Sequence, residues 1–128
     1  MKTLHKTIKR KWFDMILSGE KKHEYLEIKP YWINRLLWHE FHKDVVCLNS
    51  LEDAMYELSE SDSIFKMPSV FNTAFETVTC RNGYSPTSPL VVWEHLGITI
   101  GEGKPEWGGE PGNIYFILHI GEIISVLK

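Results

Sequence analysis

The sequence predicts an α+β fold in which a curled, mixed sheet or partly open β-barrel of about five or six strands is flanked by helices. Apolar residues recur at helical spacing in the first half of the chain. Segments rich in β-branched and aromatic residues dominate the second half. The chain has 128 residues, 43% of them hydrophobic, which is enough for one core. We therefore expect a single domain over residues 1–128.

The first part of the chain alternates strand and helix patterns. Residues 3–10 alternate apolar and polar side chains, which predicts a strand, although Lys6 falls on its apolar face. Helical spacing follows over 11–20, and Gly19 stands where a left-handed C-terminal cap belongs. Alternation over 22–29 predicts a second strand.

The middle of the chain is predicted to be mainly helical. Pro30 ends the second strand and can open a helix that continues over 31–41, and we expect Trp38 on that helix to lie in the core. The short apolar run 44–49 predicts a buried strand, and 50–61 a further helix.

The remaining segments indicate β-structure joined by turns. The Asn-Gly pair at 82–83, near the end of the first of these segments, is a strong turn signal. Glycine and proline mark the two connections. In chain order we expect a loop at 62–72, a strand at 74–84, a loop at 85–89, one long or two kinked strands at 89–103, a connection at 104–113 and a strand pair at 114–127.

The charges are unevenly distributed. Net charge is −3, but residues 1–43 carry ten Lys/Arg and five Asp/Glu, whereas 44–128 carry four and twelve. This asymmetry allows a basic face on an acidic body, or only a solvated surface. The two cysteines, Cys47 and Cys80, form no CxxC motif and suit a reducing compartment. Without an export signal or a long apolar run, we expect a cytoplasmic protein.

No residue pattern calls for a metal or another cofactor. His39 and His42 are three residues apart, whereas the HExxH motif places its histidines four apart, and no Cys/His cluster accompanies them. No serine lies in a nucleophile elbow. We expect no cofactor.

Gly19, Lys21 and Glu24 fit the pattern G-x-K-x-x-E-x-R, with Leu26 at the arginine position. The later stretches RNGYSP, ITIGEGKPEWG and YFILHIGEII follow in order. Together these segments resemble the phage and bacterial branch of the ASCH domain family, which is built on a PUA-like β-barrel. The resemblance covers nearly the whole chain.

The resemblance implies a cleft for RNA or a modified nucleoside. Some small bacterial members are amidohydrolases that remove the acetyl group of N4-acetylcytidine. They use the lysine of this motif, a hydroxyl residue three positions later and a distant glutamate. Lys21 matches that lysine, whereas Glu24 occupies the hydroxyl position. Glu94 is our candidate for the distant acid, with Glu76 and Glu110 left open.

Cations interleaved with aromatic residues are the other candidate ligand contacts. Lysine and arginine can neutralise or clamp phosphates, and aromatic rings can stack on unpaired bases. A solvated charged face and a plain aromatic core are the alternatives. The candidates are Lys22, Tyr25, Lys29, Tyr31, Trp32, Arg35, Arg81, Tyr84, Lys104 and Trp107.

Three functions follow as hypotheses. The first is a binding module that holds RNA or a modified nucleoside. The second is a small amidohydrolase or ribonuclease with Lys21 as the activated amine and Glu24 or Glu94 as acid/base. The third is a protein-interaction domain in which the aromatic residues dock a partner.

Overall fold

The computed structural model describes residues 2–45, 52, 56, 57, 59, 63, 70–72 and 75–128. It is an α+β structure whose strands form one mixed sheet in the order β1-β3-β4-β5-β2. The strands are β1 (Thr3–Thr7), β2 (His23–Glu27), β3 (Thr77–Arg81), β4 (Leu90–Glu102) and β5 (Ile114–Leu127). The helices are α1 (Arg10–Ser18), α2 (Pro30–Leu36) and α3 (His42–Val45), with 3₁₀ turns at His39–Phe41 and Pro105–Trp107.

The α+β class and the mixed five-stranded sheet confirm the coarse prediction. The sheet is not closed, so a barrel is not confirmed. The chain forms two compact units. Unit 1 comprises Met1–Glu24, Ala74–Leu96 and His119–Lys128, and unit 2 comprises Tyr25–Thr73 and Gly97–Leu118.

Unit 1 is built on three paired strands. β1 runs parallel to β3, and β3 runs antiparallel to β4. The register aligns Leu4 with Val78 and Val78 with Trp93, and all three are buried. Because side chains alternate between the faces of a strand, Lys6, aligned with Cys80, lies on this same core face.

Helix α1 has the predicted position and end. Phe13 and Ile16 are buried, three residues apart on one face of the helix. Gly19 caps the helix in the left-handed conformation, with φ 84°, and its N–H bonds to the Ile16 carbonyl. This tight stop lets the chain enter β2 within a few residues.

The hairpin between β3 and β4 confirms the Asn-Gly turn signal. The Asn82 N–H donates to the Pro89 carbonyl at 2.9 Å, and Gly83 has φ 132°, a value that favours glycine. The Asn82 side chain donates to the Ile8 carbonyl at 3.0 Å. The turn is therefore also fixed to the residue that follows β1.

Unit 2 packs α2 and a cluster of aromatic residues. Trp32, Ile33 and Leu36 are the buried residues of α2. Tyr25, Tyr115 and Ile117 form a second buried cluster, against which Trp107 packs. The connection after β4 folds back so that Gly103 and Gly109 are in close contact. A Cβ added to Gly103 would lie 2.9 Å from the Gly109 Cα.

Two predictions in the helical region are wrong. The helix expected over 31–41 ends at Leu36, because Leu37 is extended and forms a β-bridge with Phe71. Trp38 follows this break and is 46% exposed rather than part of the core.

The strand expected at 44–49 begins instead as helix, since Asp44 belongs to α3. Residues 46–49 of that strand lie outside the described residues. In the predicted helix 50–61, the described residues 52, 56, 57 and 59 are helical.

The strand pair expected at 114–127 is one continuous strand. Within this strand, the absence of a side chain at Gly121 allows close packing. A Cβ there would lie 2.9 Å from both the Glu94 carbonyl oxygen and the Leu96 side chain. For the segment at 89–103, where we expect one long strand or two kinked strands, the first alternative is confirmed.

Candidate functional site

Three charged side chains meet in the interior of unit 1. The Lys6 Nζ donates to the Glu24 Oε1 at 2.7 Å, and the Lys21 Nζ lies 3.8 Å from the Glu24 Oε2. Lys21 is only 1% exposed and Glu24 is also buried, whereas the Lys6 side chain is 22% exposed. We call Lys6, Lys21 and Glu24 the charge cluster, and Lys6 is its solvent-side member.

The backbone around Gly19 positions Lys21. After α1 ends, the Lys21 N–H bonds to the Met15 carbonyl at 3.0 Å, which turns the chain back under the helix. The Lys21 Nζ also donates to the His23 carbonyl at 2.5 Å. Glu24 follows three residues later, in β2. This short spacing brings the Lys21 amine and the Glu24 carboxylate together in the interior of unit 1.

Burial dominates the electrostatics of Lys21. Desolvation lowers the pKa of the Lys21 amine below 10.5, and the nearby Lys6 ammonium lowers it further, whereas Glu24 opposes the shift. The Trp12 ring, 5.4 Å from the Lys21 Nζ, supplies a cation–π contact. A lysine with a lowered pKa presents its neutral, nucleophilic amine at a lower pH than a surface lysine does.

Cys80 and Trp93 belong to the same face of the sheet. Cys80 is aligned with Lys6, and burial, together with the charge of Glu24, raises the pKa of its thiol to about 12. The Trp93 indole faces this thiol and opposes the rise of its pKa. Nearby in unit 1, the buried Glu24 Oε2 accepts no hydrogen bond among the described residues. A buried polar atom is rarely left without such a partner.

The other predicted residues of unit 1 do not join the charge cluster. Glu94 is exposed and lies on the opposite face of β4 from Trp93. Arg81 donates from one guanidinium nitrogen to the Pro86 and Ser88 carbonyls, so it holds the hairpin loop. Tyr84 and Lys22 are exposed.

The remaining predicted residues belong to unit 2. Tyr25 and Trp32 are buried, and the Tyr25 hydroxyl accepts a hydrogen bond from the Lys104 N–H at 2.9 Å. The guanidinium of Arg35 lies 3.5 Å from the centre of the Tyr31 ring. Two further contacts are an exposed ion pair between Lys29 and Glu27 at 3.7 Å and a cation–π contact between Lys104 and Trp107 at 4.4 Å.

Sequence reasoning missed four residues around the charge cluster, namely Lys6, Trp12, Cys80 and Trp93. Lys6 carried a signal, because a lysine on the apolar face of a strand needs a buried partner. For the other three, their proximity depends on the strand order and on the way α1 packs. Neither can be read from local patterns.

Comparisons with protein-family models, with characterised proteins and with solved structures found no match to this chain. Among the described residues, no group of three or more His, Cys, Asp or Glu is placed to hold a metal ion. In the same part of the chain, no helix is long and apolar enough to span a membrane.

Proposed function

We propose that this chain is a nucleoside-binding domain of the ASCH type, which holds a modified nucleoside, free or in single-stranded RNA, at the charge cluster. One observation carries the proposal. The Glu24 Oε2 is buried, ionisable and without a hydrogen-bond donor among the described residues. A ligand that supplies an N–H to this oxygen relieves the cost of burying it.

An amino-bearing nucleobase has the required group. Carboxylates accept hydrogen bonds from the N4 amine of cytosine, and an acylated N4 keeps one such N–H. Lys6, as the solvent-side member of the charge cluster, marks the side from which the ligand enters. A ligand carbonyl there accepts a hydrogen bond from the Lys6 or Lys21 ammonium.

The lowered pKa of Lys21 favours a second function, hydrolysis of the acyl group of such a nucleoside. In this reaction the neutral Lys21 amine takes a proton from the attacking water. The Glu24 carboxylate, which is held beside it, then accepts this proton from the Lys21 ammonium and passes it to the leaving N4 nitrogen as the C–N bond breaks, and the acyl group leaves as a carboxylic acid. Glu94 plays no part in this scheme, because it lies on the other face of β4.

The proposal extends to the curled, PUA-like form of the sheet. β1 and β2 are the two outermost strands in the strand order, yet their side chains Lys6 and Glu24 form an ion pair at 2.7 Å. Such a contact supports a sheet that curls toward a partly open barrel. The free, buried Cys80 suits the reducing cytoplasm in which we place the protein.

The test is calorimetric titration with N4-acetylcytidine, cytidine and adenosine, with products followed by mass spectrometry. The wild type is compared with Glu24→Gln and with Glu20→Gln, an exposed glutamate that provides the matched control. We expect Glu24→Gln to weaken binding by about tenfold or more, since it removes a charge-assisted hydrogen bond. Glu20→Gln should leave binding unchanged, and circular dichroism checks that each variant folds.

The outcomes separate the candidates. Deacetylated product that disappears in Lys21→Met establishes the hydrolase. Binding without product leaves the binding module, and affinity that falls steeply with salt for an RNA oligomer extends it to RNA. If no nucleoside binds, or if both glutamine variants bind equally well, the proposal is wrong.

A further inference from the structure

The C-terminal part of β5 exposes apolar side chains on both of its faces. Ile123, Ile124, Val126 and Leu127 are each between 38% and 54% exposed. Leu96, 61% exposed, lies beside this strand at Gly121. A strand that leaves both faces apolar and exposed is typical of an interaction surface. We call residues 122–128 the terminal segment.

One edge of the terminal segment has no neighbouring strand among the described residues. The Ile120 N–H donates to the Lys22 carbonyl at 2.9 Å, and the His119 ring contacts the His23 ring at 4.7 Å. Before Lys22 the chain turns away into α1, with the Lys21 N–H bonded to Met15. β5 thus extends beyond the end of β2, which is its neighbour on that side in the strand order.

The sequence of the terminal segment is complementary to a second copy of itself in the antiparallel orientation. An antiparallel pairing with a second copy, centred on Ser125, places Glu122 opposite Lys128. The same register places Ile123 opposite Leu127 and Ile124 opposite Val126. Every apolar residue thus meets an apolar residue, and each acid meets a base, which is the arrangement that stabilises cross-strand pairs.

We propose that two copies of this chain dimerise by antiparallel pairing of their terminal segments. The two-fold axis passes through Ser125, so each Glu122–Lys128 pair occurs twice. Backbone hydrogen bonds between the two edges supply affinity, and the side-chain pairs fix the register. The contact is small, so the dimer dissociates on dilution.

The first experiment measures mass against concentration by analytical ultracentrifugation of the full chain. We expect a monomer–dimer equilibrium for the wild type. Ile124→Lys should weaken it by at least about a hundredfold, because the change places a lysine at an apolar position of both copies. Thr87→Lys adds the same charge in the exposed loop after β3 and should not weaken it.

Charge reversal tests the register itself. Glu122→Lys and Lys128→Glu each place like charges opposite one another twice per dimer, so each should weaken dimerisation roughly tenfold. The double variant Glu122→Lys/Lys128→Glu restores opposite charges and should recover the wild-type equilibrium. Both residues are exposed. Circular dichroism checks that each variant folds.

Three results would overturn the proposal. The first is a single-chain mass at every concentration up to about 1 mM. The second is a dimer that is indifferent to Ile124→Lys. The third is a double charge reversal that fails to restore the equilibrium lost in the single variants, which shows a different register or a different occupant of the strand edge.

Discussion

The charge cluster in unit 1 and the cation–aromatic pairs in unit 2 use similar residue types in opposite environments. Lys21 is fully buried beside Glu24 and Trp12. Arg35, by contrast, is exposed and lies over the ring of Tyr31, which is half exposed. Both sets come from the charged and aromatic stretch that begins the chain.

Burial, rather than crowding in the sequence, decides which charged residues have strong energetic effects. Removing a charge from water costs several kcal/mol unless it is paired, whereas an exposed pair contributes about 1 kcal/mol or less. Of these two regions, the charge cluster is the one that combines a desolvated amine with a carboxylate oxygen that accepts no hydrogen bond among the described residues. It is therefore the stronger candidate for ligand chemistry.

The largest effect should come from removing the carboxylate of the charge cluster. Glu24→Ala leaves Lys6 and Lys21 without their shared partner in the interior, so we expect the free energy of unfolding to fall by about 3 kcal/mol or more. Urea denaturation measures the change. Glu27→Ala, which breaks the exposed pair with Lys29, is the control and should cost at most about 0.5 kcal/mol. Equal losses would remove the contrast between buried and exposed pairs.

A partly buried histidine, His95, extends the contrast to pH. Burial, aided by the charge of His119, lowers the pKa of His95 from 6.5 to about 4. Between these values the unfolded chain binds more protons than the folded chain, so stability falls as the pH falls from 6.5 to 4. His95 is partly exposed, and we expect it to contribute a loss of about 2 kcal/mol.

The measurement is the free energy of unfolding of the wild type and of His95→Leu across this range. The free energy of unfolding of His95→Leu should fall less between pH 6.5 and 4, because the contribution of His95 is missing. His5→Leu, at an exposed position of β1, is the control and should follow the wild type. An acid loss of the same size in His95→Leu would show that other groups cause it.

Local signals predicted most of the fold. The cap at Gly19 and the turn at Asn82–Gly83 depend on neighbouring residues, and both are confirmed. The predictions of a core position for Trp38 and of a strand pair at 114–127 failed because distant partners decide them. Leu37 leaves the helix to pair with Phe71, and Gly121 is a glycine because β4 approaches it closely.

The candidate site was predictable only in part, for the same reason. Lys21 and Glu24 are three residues apart at a helix–strand junction, so their contact follows from local structure. Cys80 and Trp93 reach the same face through the alignment of β1, β3 and β4. No local pattern specifies that strand order, and Lys6 offered the single hint.

A smaller effect should appear when Lys21 is titrated. Its pKa is lowered in the folded chain, so the unfolded chain holds the extra proton below pH 10.5. Wild-type stability relative to Lys21→Met should therefore rise as the pH rises toward 10.5, with a slope of at most about 1.4 kcal/mol per pH unit. Unfolding at pH 7 to 10 measures it, with the exposed Lys22→Met as control. If the difference in stability between the wild type and Lys21→Met did not change with pH, Glu24 would offset the effect of desolvation on the pKa of Lys21.

The smallest effect belongs to the exposed pair of Arg35 and Tyr31. The guanidinium stacks 3.5 Å from the ring centre and also donates to the Tyr31 carbonyl at 2.9 Å, one helical turn away. A double-mutant cycle with Arg35→Ala and Tyr31→Ala should therefore give a coupling free energy of about 0.5 kcal/mol. The same cycle with Arg35→Lys separates planar stacking from charge, because lysine keeps the charge but not the planar group. A coupling above about 2 kcal/mol would place this pair with the buried charges and erase the difference between the two regions.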